Sequence, residues 1–464
     1  MEFKRSIVWL RRELRLDDNA ALHYACLYSS QIIPVFIFDK NILSKLPNHE
    51  DKRVTFIFET LQELEQQLKK QGKMLIVRFG DPQEEIPSLA KELKVDSVFT
   101  NNDYEQYAIK RDNFIKDKLK EYQIQFLSFK DQVIFERNEI LKANQQPYVV
   151  FTPYKNEWLK RVKMQNFVSF TYDIKKFISN EDFKNYQFHW KIEELGFSKA
   201  TLILSPGRKG ALEKIHTFSK KIDEYANNRN FLNIDGTSLL SIHLRFGTIS
   251  IREAFRFAYE HQSEGANVWI SELIWREFYK MILSLFPYVE TSPFKQEYKS
   301  LKWENNDKYF EKWQQGQTGF PIVDAAMRYF NKTGWMHNRL RMVVASFLTK
   351  DLLIDYRKGE KYFADHLLDY DLSANNGGWQ WSASTGCDAQ PYFRVFNPES
   401  QSQKFDPKGT FIKEHCPELV HCDEKTIHAP TQSLFSSYSH HYPTPIVNHA
   451  IQREKAIKLF KKID

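Results

Sequence analysis

Asp369-Tyr-Asp371-Leu-Ser-Ala-Asn375-Asn376-Gly-Gly-Trp379-Gln-Trp381-Ser-Ala-Ser-Thr-Gly-Cys-Asp-Ala-Gln-Pro-Tyr-Phe-Arg394-Val-Phe396 puts two carboxylates and two amides close to a pair of indoles, with a Gly377-Gly378 step between them. Large rings, carboxylates and backbone-permissive glycines at this density suit a site for a flat heterocycle with a polar edge. An ordinary core helix does not crowd polar groups this way, because each one buried needs a partner. The competing reading is a solvated polar loop carrying incidental tryptophans. It leaves the clustering unexplained.

The surrounding chain has 464 residues, enough for two or three domains with sizeable cores. Its 42% hydrophobic and 27% charged composition is that of a soluble globular protein, with 15% aromatics as the unusual feature. A net charge of +7 is compatible with a polyanionic partner without requiring one. Cys26, Cys387, Cys416 and Cys422 are too scattered for a disulfide framework. The His415-Cys416 and His421-Cys422 pairs match no zinc spacing, so no metal is expected. The N-terminus lacks a signal-peptide core and no apolar run reaches membrane-spanning length, which predicts a cytoplasmic protein.

Short β-rich runs at Ile7–Leu10, Ile32–Phe38, Met74–Phe79, Ser97–Thr100 and Ile124–Phe129 alternate with helical patterns near 19–29, 52–70, 83–93 and 104–121. That alternation predicts a five-stranded parallel sheet, doubly wound, in an α/β domain over residues 1–130. No Gly-x-Gly-x-x-Gly follows the first strand, which disfavours a dinucleotide site of the standard type. Arg11, Arg12 and Arg15 crowd the end of that strand without a local explanation, and Asn19 reads as a helix cap. Periodicity weakens over 131–204, read as an interdomain connection. Helical patterns then dominate 205–464, notably at Trp269–Phe286, 321–331, 338–354 and 360–368.

Four stretches of this second half share the character of the first one quoted. Tyr225, Arg229 and the hydroxyl run Thr237-Ser238-Leu-Leu240-Ser241 form either a phosphate cradle or a plain helix cap. On one helix, Trp269, Glu272, Trp275 and Arg276 could stack a base and bond its edge, or pack as core. Gly316 to Arg328 reads as a loop entering a packed helix. In Gly334 to Met342, residues Asn338, Arg341 and Met342 share a helix face, while His337 points elsewhere and reads as structural. No catalytic triad, metal set or phosphate loop accompanies them, so the chemistry belongs to a bound cofactor.

With these motifs laid out, the chain resembles the photolyase/cryptochrome flavoproteins over nearly its whole length, most closely the microbial class I cyclobutane pyrimidine dimer photolyases. The resemblance rests on Val8-Trp-Leu-Arg11, Asp18-Asn19-Ala20-Ala-Leu22, Thr237–Ser241, Glu272–Phe278, Gly319–Arg328, Trp335–Met342, Asp371–Trp381, Pro391–Pro398 and Tyr442-Pro-x-Pro445. It implies an α/β domain, a linker, and a larger all-α domain holding FAD, active as FADH⁻. Tyr225, Thr237, Ser238, Leu240, Ser241, Trp269 and Arg276 would hold the FAD phosphates and neighbouring groups. Asp371 would bond the isoalloxazine edge, Arg341 would pair with Asp369 beside it, and Asn375 would lie at flavin N5. The lesion pocket would comprise Arg229, Glu272, Trp275, Asn338, Arg339, Met342 and Trp381, with Arg394 also on the DNA side. Asn338 would serve the cofactor as well.

The implied activity is that of a carbon–carbon lyase. Light-excited FADH⁻ gives an electron to a flipped-out dimer in DNA, and Glu272 stabilises the charge on the thymine carbonyl. Phosphate contacts from lysine and arginine would make binding weaken with salt. The family's flavin is reduced along three tryptophans, but here the series reads Trp379, Tyr356, Trp303, and tyrosine is hard to oxidise unless its proton leaves. Tyr107-Ala108 and Glu290-Thr291-Ser292 stand where folate-type relatives carry polar contacts. A folate antenna is therefore not supported, and a deazaflavin, a flavin or an empty pocket remain open. A monomer is expected, close to the nucleoid if the host is bacterial. The rival is a cryptochrome-like photoreceptor without repair, against which stand Asn375, the complete lesion set and the lack of a long tail. Met342 in place of histidine argues against a (6-4) photolyase. A nucleic-acid-binding module without catalysis leaves the flavin-edge residues unexplained.

Overall fold

The computed structural model describes residues 2–186, 191–430 and 442–463. Its contacts divide the chain into two compact units, one of Met1–Tyr148, Pro153–Asp223 and Ser238–Leu285, the other of Val149–Thr152, Glu224–Thr237 and Phe286–Asp464.

The first unit contains the expected sheet. Strands β1 (Phe3–Leu10), β2 (Ser29–Asp39), β3 (Ile76–Gly80), β4 (Ser97–Asn101) and β5 (Gln125–Phe129) pair in parallel in the order β3-β2-β1-β4-β5. The inner strands are continuous apolar runs because helices cover both faces, so Ile7, Ile33, Ile76 and Val98 are buried. Pro34 is tolerated inside β2 because the β2–β3 ladder begins only at Val35. Ser6 on β1 bonds Ser29 and Ser97 at 2.6 and 2.7 Å, joining three strands through one buried hydroxyl. The helices Ala20–Tyr28, Lys52–Lys69, Pro82–Glu92 and Gln106–Glu121 follow the expected pattern, and Asn19 caps the first by accepting the Leu22 N–H.

The three arginines after β1 now have partners. Arg11 donates to Asp112 at 2.6 Å and to the Asn101 carbonyl, and stacks over Trp9. Arg12 pairs with Glu105 at 2.7 Å. Arg15 is buried against Asp131 at 2.6 Å. They tie the sheet's carboxyl ends to segments far away in sequence, and their role is structural.

The second unit is helical. Helices Asp307–Gln315, Pro321–Thr333, Asn338–Ser346, Tyr356–His366 and Leu372–Ala383 surround a core of Trp313, Phe330, Phe347, Leu348, Phe363 and Trp379. The single helix expected over 338–354 ends at Ser346 and continues as a π-helical turn, Phe347–Asp351. In the Gly316–Arg328 stretch, Asp324 is buried and accepts from Thr318 N, Gly319 N and the Tyr442 hydroxyl. Gly319 has φ +79°, and a Cβ there would meet the Thr444–Pro445 backbone at 2.4 Å. Packing accounts for this stretch, as its sequence suggests.

Candidate functional site

The first half of the stretch Asp369–Phe396 forms a capped helix, Leu372–Ala383, and residues 384–396 follow it as turns and irregular chain. Asp371 is the N-cap of Leu372–Ala383, accepting from Ala374 N at 3.3 Å and from the Ser373 hydroxyl. The amides explain why a helix with two glycines holds. Asn375 donates to the Glu360 carbonyl at 3.0 Å. Asn376 and Gln380, one turn apart, both reach the Val289 carbonyl at 2.9 Å, and Gln380 accepts from Phe294 N at 2.8 Å. Asn375 and Trp379 share a second face. Trp379 is buried edge-on to Phe363 at 5.1 Å, and Gly359 sits beneath it, where a Cβ would lie 2.2 Å from the indole. Trp381 is only partly buried.

Arg341 and Asp369 form the ion pair expected from the sequence, at 2.8 and 3.0 Å, with the Asp369 carboxylate 4% exposed. A further bond from Arg341 Nε to the Met336 carbonyl at 2.8 Å fixes the guanidinium. Asn338 is exposed, and its amide meets Met342 Sδ at 4.0 Å. Arg339 lies over the Phe405 ring at 4.3 Å and donates to Asn230 at 2.8 Å. Arg229 lies over Tyr225 at 5.1 Å. Arg394 is exposed. Tyr356 is buried and Trp303 half-buried against Phe460, and no ring contact among the described residues joins Tyr356 to Trp379 or Trp303.

His337 has the structural role expected of it. Its ring Nδ1 accepts the Arg339 N–H at 3.1 Å, capping the helix Asn338–Ser346, so the ring must stay neutral. Burial, with Arg339 beside it, holds its pKa down at about 4. A histidine depressed in the folded state contributes its full stability above the unfolded value of about 6.5, and loses it as pH falls toward 4. His337→Asn keeps a capping oxygen and removes the titration. Urea unfolding should therefore show the wild type losing about 2 kcal/mol relative to the variant between pH 7 and pH 5.

In the first unit, the helix Glu264–Leu285 carries Trp269, Glu272, Trp275 and Arg276. Trp269 is buried and its indole N–H points to Ser238 Oγ at 3.3 Å. Leu239 has φ 55°, a left-handed step that starts the helix Leu240–Phe246, with Leu240 buried and Ser241 exposed. Arg276 donates to the Gln132 carbonyl at 2.6 Å. Glu272 and Trp275 are half-buried, the indole packed on Tyr279.

Sequence reasoning passed over three residues. Glu277 is buried and collects the N–H groups of Ile134 and Phe135 and the Trp158 indole, at 2.7, 3.1 and 2.5 Å. Burial raises its pKa to about 7 despite those donors. Glu360, also raised to about 7 by burial, accepts from Asn376 at 3.0 Å. Trp313 packs against Trp379 with ring centroids 6.2 Å apart. A glutamate following an arginine, or a tryptophan in an amphipathic helix, carries no local mark of such a position.

Within the first unit the Ser238 and Ser241 hydroxyls are of a kind that suits a phosphate, and within the second unit the buried carboxylate of Asp371 and amide of Asn375 are of a kind that suits a ring edge that both donates and accepts. Comparison with known proteins points the same way. Residues 6–171 match the DNA photolyase family model, and residues 269–462 match the FAD binding domain of DNA photolyase. A deoxyribodipyrimidine photo-lyase of Synechococcus sp. is 39% identical, covering 98% of this chain and 96% of that protein. A class III photolyase of Agrobacterium tumefaciens superposes with a TM-score of 0.86 at 31% identity, covering 100% of this chain and 98% of the other. A Sulfolobus tokodaii photolyase structure with two FAD molecules gives 0.85 at 34% identity, over 99% of this chain and 100% of the other.

Proposed function

Because the chain belongs to the DNA photolyase family, we infer that it is a light-dependent lyase that repairs cyclobutane pyrimidine dimers in DNA with FAD as its cofactor. The observation that carries this reading is 39% identity to a photo-lyase over 98% of the chain, combined with the Asp369–Arg341, Asp371 and Asn375 set on and beside one helix. Reduced FAD, when bound, supplies a photoexcited electron donor: one electron enters the dimer, the cyclobutane ring opens and the electron returns.

The protein's residues position, shield and polarise. Asp371, held by the Ser373 hydroxyl and its cap bond, would accept from the isoalloxazine edge, and Asn375 would face N5. Thr237, Ser238, Ser241 and Arg276 would contact the phosphates and Tyr225, Leu240 and Trp269 the neighbouring groups. For the lesion, Trp275 and Trp381 offer apolar faces worth about 1–3 kcal/mol per base against the cost of flipping. Arg229, Asn338, Arg339, Met342 and Arg394 would line the DNA side. Glu272 would hydrogen-bond a thymine carbonyl as negative charge develops on it. All these residues lie on one chain, so a monomer suffices, and its substrate places it in the compartment that holds DNA. No helix among the described residues is long and apolar enough to cross a membrane. The second chromophore stays open between a deazaflavin, a flavin and none.

The decisive test mixes reduced, anaerobic protein with an oligonucleotide containing one thymine dimer and follows thymine absorbance under blue light against a dark control. Light-dependent recovery is expected. Failure with both FAD and lesion bound would instead favour a photoreceptor. Within that assay, Glu272→Gln should lower the repair quantum yield severalfold while lesion binding changes little. An unchanged yield would remove the charge-stabilising role from Glu272.

A further inference from the structure

Glu277 is a buried carboxyl that neither cofactor nor lesion uses in the reading above, and its place on the helix Glu264–Leu285 gives it a task. At 3.6 residues per turn it lies about 140° round that helix from Glu272 and about 160° from Trp275. The two side chains read as meeting the lesion therefore share one side, and Glu277 occupies the opposite side, 2% exposed. Four donors converge on it there. Oε2 takes the Ile134 N–H at 2.7 Å, while Oε1 takes the Phe135 N–H at 3.1 Å, the Trp158 indole at 2.5 Å and the Tyr154 hydroxyl at 3.4 Å. Arg276 beside it donates to the Gln132 carbonyl at 2.6 Å, so two successive residues of one helix grip the stretch 132–135. Ring packing continues the same assembly. Trp158 is edge-on to Phe135 at 5.4 Å, Tyr154 lies 5.3 Å from Phe278, and Phe278 is edge-on to Trp275 at 5.7 Å. A helix gripped on its buried side by one charged acceptor has its rotation and depth set at that point.

We propose that Glu277 is a positioning residue for the lesion, whose carboxylate gathers residues 134, 135, 154 and 158 onto the helix and so fixes how Glu272 and Trp275 are presented. This rests on the photolyase reading above. Protonation puts a hydrogen on one of two oxygens that otherwise only accept, and the bonds lose their charge assistance, so the grip loosens. Burial places that exchange at about pH 7. Tyr154 and Tyr104 face the group and are held well above the ordinary phenol value, also by burial. Arg276 and Lys280 are the cations on its own helix, Lys280 lying 5.9 Å from the Tyr104 ring centroid. Glu136 accepts the Tyr104 hydroxyl at 3.0 Å, and Glu139 acts on Tyr154. Glu277→Gln removes one titration and leaves all of these in place, so the difference between the two proteins isolates it. A carboxyl raised in the fold stabilises the fold when protonated. Its ionisation costs stability progressively from the unfolded value of about 4.3 up to about 7. The grip is thus firmest where the fold is less stable, and that opposition separates positioning from a purely structural role.

The experiment measures, in the dark, the Kd of full-length, FAD-loaded protein for an oligonucleotide containing one thymine dimer, from about pH 6 to about pH 8.5. Glu277→Gln keeps an acceptor oxygen but no charge. It should bind the lesion about fivefold more weakly than the wild type at the alkaline end and equally at the acid end, the loss of about one charge-assisted bond. Its urea midpoint at the alkaline end should be no lower than that of the wild type. Trp158→Phe removes one donor and keeps a ring, so the pH midpoint of lesion binding should move up. A wild-type-to-variant Kd ratio that does not change with pH would overturn the role. So would Glu277→Gln losing lesion affinity and urea midpoint together at every pH, the behaviour of a residue that only holds the fold. If Glu277→Gln does not fold, Trp158→Phe decides, and an unmoved midpoint counts against the role. Dimer repair by the reduced wild type under blue light keeps the parent reading separate. Absence of repair counts against the photolyase reading, whereas repair with a flat ratio counts against Glu277 alone.

Discussion

Asp131→Ala is expected to remove about 3–5 kcal/mol of stability, enough to leave the first unit largely unfolded at 37 °C. Asp131 is 2% exposed, between two equally buried guanidinium groups. It accepts from Arg15 at 2.6 Å and from Arg252 at 2.7 Å, and its second bond on that oxygen comes from the Ala20 N–H at 3.1 Å. Asp18 balances the cluster, taking Arg252 Nε at 2.8 Å and the Ser250 hydroxyl at 2.5 Å. Arg15 and Arg252 thus neutralise Asp18 and Asp131 out of water, with the more exposed Arg256 adding a bond to Asp18 at 3.2 Å. Removing one carboxylate leaves a net buried positive charge, which costs far more than the intact pair contributes. Asp131→Asn keeps the shape and an acceptor and should lose less. Burial alone would raise both carboxyls, but the adjacent arginines outweigh it and hold Asp18 and Asp131 below the usual carboxylate range. Their contribution is therefore complete above the unfolded value of about 3.9 and is lost as pH falls below it. Urea unfolding of wild type and variant at neutral pH and at about pH 2.5, below the unfolded carboxylate value, measures both effects. A loss under about 1 kcal/mol at neutral pH would show that the cluster relaxes or admits water.

This cluster also shows where sequence reasoning stopped. The strands were legible because a parallel sheet covered on both faces needs unbroken apolar runs, and Ile32–Phe38 or Ser97–Thr100 could be little else. Helix starts were legible where a cap residue marked them, as at Asn19. Arg11, Arg12 and Arg15 had no local meaning, because their partners Asp112, Glu105 and Asp131 come from distant segments. The helix Leu372–Ala383 was hidden for the opposite reason. Two glycines and two asparagines lower its intrinsic propensity, and it holds because those amides bond Glu360 and Val289 on other elements. Chemistry was easier to read than geometry. The residue types in Asp369–Trp381 point to a polar-edged ring from the sequence alone, while the proximity of Trp313 to Trp379 depends on how two amphipathic helices pack.

Arg341→Ala should cost about 3 kcal/mol in the second unit and strip FAD from the protein as purified. The Arg341 guanidinium is the cation that the Asp369 carboxylate has at 2.8–3.0 Å, and that carboxylate is 4% exposed. The arginine itself is 29% exposed, so it tolerates release into water, whereas the aspartate does not. The loss is asymmetric for that reason, and it falls on the residue two positions before the Asp371 cap. A displaced Asp369 would disturb the start of the helix that carries Asp371, Asn375 and Trp379, so flavin retention and stability should fall together. Arg341→Lys keeps the charge but cannot bridge both Asp369 oxygens and the Met336 carbonyl, and should retain only part of each. Adding Asp369→Asn to Arg341→Ala removes the stranded charge. The double variant should regain more than about 1 kcal/mol over Arg341→Ala, the coupling expected of residues in one ion pair. The flavin absorbance-to-protein ratio and urea midpoints of wild type, Arg341→Ala, Asp369→Asn and the double variant complete the cycle. If stability recovers while flavin content does not, Arg341 holds the cofactor side directly; if both recover, it acts by keeping Asp369 in place.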